Sequence, residues 1–135
     1  MALLSGLSKY SNVGLLIIRV GLGIMFIMHG YPKLIGGPEM WEKLGGAMGN
    51  VGINFAPVFW GFLAAVAEAG GGLLLALGLF FRPACIALAF TMLIAALVHL
   101  TGGEGIMGSS HAIELGIVFL GLILVGPGKY SIDKK

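Results

Sequence analysis

Charge is what this sequence has least of. Eight Lys and Arg and six Asp and Glu make up 10% of 135 residues, against 58% hydrophobic residues and a mean hydropathy of +1.01. So little polar surface cannot coat a soluble globule of this size, and the lipid bilayer is the chain's first partner. The few basic residues form no cluster or stripe of the kind that tracks phosphates, which excludes nucleic acid as a partner. Cysteine is almost absent as well. The single Cys85 excludes an internal disulfide and a Cys-x-x-Cys redox pair, so any dithiol chemistry belongs to another protein. Cys85 itself is expected to pack as a small hydrophobe.

Long apolar runs are plentiful. A helix needs about 20 mainly apolar residues to cross ~30 Å of hydrocarbon, and four stretches qualify, at 13–30, 57–81, 84–100 and 106–125. The first has Arg19 in its middle and no small-residue cleavage site after it, so it reads as a retained span and not a secretory signal. The expected fold is an all-α membrane protein, a single domain over residues 1–135 forming a four-transmembrane-helix bundle. Lys9, Arg82, Lys129, Lys134 and Lys135 fall on one side of these spans and Lys33 and Lys43 on the other. The positive-inside rule then puts both termini in the cytoplasm of a multi-pass protein. The one sizeable loop, 34–56, becomes extracytoplasmic. Within it Met40, Trp41, Leu44, Met48 and Val51 fall near one helical face, the pattern of a short interfacial helix that either covers the bundle or forms a lid over a lateral opening.

Ionisable residues inside the spans are the candidate functional groups, because a carboxylate or guanidinium at membrane depth must be paired or hydrated. Glu68 and Glu114 are both expected to look inward. Arg19 lies about four turns below the outer end of the first run, with Gly30 and Pro32 expected to weaken or end that helix, and Glu68 is its expected partner. Such a pair either positions two helices or binds and relays something polar. The small residues around Glu68, from Ala64 to Gly72, suit close helix packing and a ligand cavity equally well. His111 and Glu114 are three apart and share a face, whether the last helix starts at Ser110 or near Gly105.

His29, His99, His111 and Glu114 thus belong to the outer half, above Arg19 and Glu68. Four chemistries compete for them. Histidines at helix ends commonly make interfacial hydrogen bonds and nothing more. A metal could draw on His29, His99, His111 and Glu114, although no pair has dense ligand spacing, and a haem could take two histidines. A pocket for a quinone-type headgroup would use the same groups to bond oxygens and pass protons.

Three motifs, in order, carry a family resemblance. Arg19-Val20-Gly21-Leu22-Gly23 leads to Phe26, His29-Gly30 and Lys33-Leu34, then comes Glu68-Ala69-Gly70-Gly71-Gly72-Leu73-Leu74-Leu75, and the chain closes on Gly126-Pro127-Gly128-Lys129-Tyr130. This resembles the DoxX family of small bacterial integral membrane proteins. The resemblance implies a four-helix bundle in the bacterial cytoplasmic (inner) membrane and association with oxidoreductases, including a thiosulfate:quinone oxidoreductase subunit and thiol redox homeostasis. It marks Arg19, His29, Lys33 and Glu68 as site positions; His111 and Glu114 join them from the reading above. The expected function is a small accessory subunit of a respiratory or sulfur/thiol oxidoreductase, partnered by a redox subunit or by its own copies and offering a quinone or proton site. A structural or assembly subunit, or a metal-binding protein, is the alternative.

Overall fold

A computed structural model describes residues 3–133. After a 3-10 turn at Ser5–Tyr10, the helices are α1 (Ser11–Ile35), α2 (Gly37–Gly45, extended by a 3-10 segment at Gly46–Val51), α3 (Pro57–Leu77), α4 (Phe81–Thr101) and α5 (Gly105–Val125). Among the described residues there is no strand. α1, α3, α4 and α5 are each long and apolar enough to cross a membrane, as the four apolar runs predict. Large side chains such as Ile17, Met28, Leu73, Ile86, Leu93, Ile117 and Leu124 point outward, an apolar surface that requires lipid and not water.

The helices pack in chain order, α1 on α3, α3 on α4 and α4 on α5, with α2 laid across the first turns of α3. Lipid supplies no hydrophobic drive between helices, so close backbone approach through small residues does that work. Gly23 lies against Gly72 and Ala76, and Gly30 against Ala69, where an added Cβ would strike α3 backbone. Gly30 is therefore a packing position and not the expected terminator. α1 runs on through Pro32 to Ile35, because the proline sits on an exposed face near the end, where one lost backbone bond is tolerable. The core is Phe26, Leu75, Phe81, Leu88, Met92 and Phe119, with Cys85 fully buried among them, which is the packing role expected of that thiol.

The expected interfacial helix is α2. Its Trp41 and Leu44, with Met48 of the 3-10 segment, turn toward the bundle, while Met40 and Val51 stay exposed. Of the two possible starts for the last helix, Gly105 is the one found. The hydroxyls of Ser109 and Ser110 bond back to carbonyls one turn earlier, as they do inside a helix and not at its cap.

At the end of the bundle that holds the termini, α3 stops at Gly78, in the left-handed region at φ 69°, with Leu79 N–H donating to Leu74 O at 3.0 Å. The segment 126–133 then folds under the bundle as a strap. Asp133 accepts the Phe80 and Phe81 N–H groups at 3.1 and 2.7 Å and so caps α4. Asn12 Oδ1 accepts Lys129 N–H at 2.9 Å.

A candidate ligand cavity beneath the interfacial helix

Between α3 and α4, roofed by α2 and its 3-10 extension, lies a cavity of about 350 Å³, at the small end of the range for ligand sites. Its walls are mainly apolar. Ala64 and Ala67 on α3 and Ala87 and Ala95 on α4 leave the space that larger residues would fill. The small residues around Glu68 are thus divided by face: Ala69, Gly72 and Ala76 admit α1, and Ala64 and Ala67 face the cavity. Leu63 and Phe90 at the margin are exposed, so the opening is lateral, toward lipid.

A few polar groups line or border the cavity. Lys33 Nζ donates to both Glu68 carboxylate oxygens at 2.7 and 2.9 Å, with the side chains 30% and 8% exposed respectively. Trp41 Nε1 donates to Lys33 O at 3.0 Å and ties α2 to the end of α1. Trp60, also lining the cavity, keeps a buried indole N–H with no hydrogen-bond partner among the described residues. A buried orphan donor costs about 1–3 kcal/mol unless something accepts from it. Thr91 donates to Ala87 O at 2.9 Å, and His99 stands at the rim with Nδ1 2.7 Å from Glu104.

Glu68 therefore pairs with Lys33, and the expected Arg19–Glu68 pair does not form. The reason is register. Counting depth from the outer end of each helix presumes flush ends, whereas α3 begins well above the end of α1 and α2 packs against the protruding turns. With Gly30 facing Ala69 and Gly23 facing Ala76, Arg19 and Glu68 are separated by about three turns, roughly 18 Å. Arg19 is 1% exposed and donates instead to Tyr130 O at 2.7 and 2.9 Å, Pro127 O at 3.2 Å and Ala76 O at 3.4 Å. It anchors the strap, on carbonyls and not on an acid.

The remaining predicted residues lie elsewhere. His29 and His111 face each other across the α1–α5 side with ring centroids 6.3 Å apart, and His29 Nδ1 is 2.7 Å from Met25 O. Glu114 is exposed and not inward-facing. α5 turns Ala112, Phe119 and Leu122 into the core, which leaves Glu114 on the opposite face. His99 is with Glu104 at the cavity rim, so the four candidate metal ligands are divided between two places. Among the described residues no group of three His, Cys, Asp or Glu is placed to hold a metal ion. Trp60 is the site residue missed from sequence. Its two-turn spacing from Glu68 on α3 was the available signal.

The sequence model of the DoxX family matches residues 14–100, which takes in nearly all of α1 to α4 and every polar residue lining the cavity. Over 133 residues the chain is 35% identical to the inner membrane protein YqjF of Escherichia coli K12, covering 95% of both chains. It is 30% identical over 138 residues to an uncharacterized protein of Haemophilus influenzae, covering 98% of this chain and 97% of the relative. The E. coli inner membrane protein YphA is 28% identical over 129 residues, 90% of this chain and 89% of that one. No solved structure matches. Four membrane-crossing helices, the family match across most of the chain and relatives aligned nearly end to end lead to one conclusion: the chain belongs to the DoxX family of integral membrane proteins.

Proposed function

We propose that this chain is a small inner-membrane subunit serving a respiratory or sulfur/thiol oxidoreductase, and that the cavity beneath α2 receives a quinone-type headgroup from the bilayer. The observation that carries the reading is the Lys33–Glu68 pair in an otherwise apolar cavity that opens to lipid, a cavity also lined, two turns away on α3, by Trp60, whose indole N–H has no partner among the described residues. One headgroup oxygen takes charge-assisted support from the Lys33 side chain and another satisfies the Trp60 indole, while the alanine-rich walls accept a flat ring and the start of a prenyl tail. Glu68 holds Lys33 in place. Quinone supplies two-electron, two-proton chemistry when bound, with the electrons coming from a partner redox subunit.

Purified protein should bind a short-chain benzoquinone saturably by equilibrium dialysis. Trp60→Phe should weaken binding about tenfold, the worth of one buried hydrogen bond, and Glu68→Gln should weaken it at least as much. No saturable binding, or binding indifferent to both substitutions, overturns the reading. The completeness of the Lys33–Glu68 contact favours a second possibility, a structural subunit that uses the pair only to lock α1 to α3. On that reading Glu68→Gln lowers the yield of folded protein and of any complex, and no quinone binds.

A further inference from the structure

The side of the bundle between α1 and α5 carries the polar groups that the cavity does not use. Among the described residues no α1 Cα lies within 8 Å of an α5 Cα. The two helices meet through large side chains, Phe26 on Phe119 with ring centroids 5.3 Å apart and His29 near His111. On the outer faces of these two helices an added Cβ at Gly14, Gly21 or Gly121 meets nothing within 4 Å. Both flanks therefore present bare backbone to whatever lies outside, the surface that a neighbouring membrane helix approaches most closely.

Glu114 borders this seam. It lies one turn beyond His111 on α5, is exposed, and has no hydrogen-bond or ion-pair partner among the described residues. It is the tenth residue of a 21-residue spanning helix, about 13 Å from its start. A carboxylate facing hydrocarbon at that depth costs several kcal/mol, so a polar surface must cover it.

We infer that the covering surface is a second copy of this chain, in a homodimer whose two-fold axis runs along the membrane normal and whose Glu114 carboxylates face the His111 rings of the opposite protomer. Such an axis leaves depth unchanged, so every side chain meets groups of its own level in the other copy. A patch covered by itself must then hold acid and base at one depth. This patch does. Glu114 and His111 differ by three residues, about 4.5 Å along α5, and His29 shares the level of His111. A patch shaped for a different subunit needs only one sign of charge. The inference uses none of the cavity residues and stands apart from the quinone reading.

Cross-linking in native membranes tests it. In a Cys85→Ala background, which removes the single buried thiol, Gly121→Cys should give mainly disulfide-linked dimer on mild oxidation. Ile86→Cys, an exposed position on α4, should give at least tenfold less. Adding Glu114→Leu or His111→Gln to Gly121→Cys should cut the linked fraction at least fivefold. Both residues are exposed, so each variant should still elute as folded protein from mild detergent. No linkage at Gly121, equal linkage at Ile86, or linkage indifferent to both polar substitutions overturns the dimer. So does a native mass spectrum showing monomer that carries a phospholipid or a different subunit.

Discussion

At the scale of single residues, three buried polar groups divide the work among them. Arg19 is satisfied almost entirely by carbonyls, Glu68 by one lysine, and the Trp60 indole by nothing among the described residues. Removing one member of the Lys33–Glu68 pair leaves the other stranded, which costs about 3 kcal/mol, the low end for a buried pair because Lys33 keeps 30% of its exposure. Lys33→Met and Glu68→Leu should each lose about that much in detergent unfolding titrations. The double variant should lose less than the sum of the two by at least 2 kcal/mol. Additive losses would mean that the pair contributes no net coupling. Both residues were site candidates from the sequence, Glu68 as an ionisable group inside a span and Lys33 through the family resemblance. The sequence did not pair them, because pairing depends on how far one helix slides past another, and that offset is set by Gly23 and Gly30 settling on α3.

At the scale of elements, the spans were readable because crossing a bilayer fixes both their length and their composition. α2 was readable because its apolar face repeats at helical spacing. The strap was not readable. Residues 126–133 have no periodicity, and their role comes from backbone carbonyls, which every sequence has. Three side-chain contacts hold the strap to two helices, α1 through Arg19 on the Pro127 and Tyr130 carbonyls and Asn12 on Lys129, and α4 through Asp133 on its first turn. Asp133 acts where a free helix N-terminus favours a carboxylate, so Asp133→Ala should cost about 1 kcal/mol. Arg19→Leu should cost more and free the strap, raising trypsin cleavage after Lys129 at least tenfold in detergent while α1 to α5 stay helical by circular dichroism. Cleavage unchanged from wild type would show that the strap does not depend on Arg19.

At the scale of the whole molecule, the two ends of the bundle differ in charge. Lys9, Arg82 and Lys129 gather at the strap end, where Arg82 Nε donates to Ile123 O at 2.7 Å and so serves the last carbonyls of α5. Lys134 and Lys135 extend the same excess but lie outside the described residues. The opposite end has Lys33, already neutralised by Glu68, and Lys43. The strap end should therefore face the cytoplasm and the cavity should lie in the outer half of the membrane. Because the native thiol is fully buried, single introduced cysteines report topology against a silent background. In intact cells a membrane-impermeant maleimide should label Gly103→Cys at least tenfold more than Lys129→Cys, and lysis should make the two equal. The opposite pattern would move the cavity to the cytoplasmic half. The charge asymmetry would then have failed, but Lys33, Glu68 and Trp60 would keep their geometry, and only the side from which a redox partner reaches them would change.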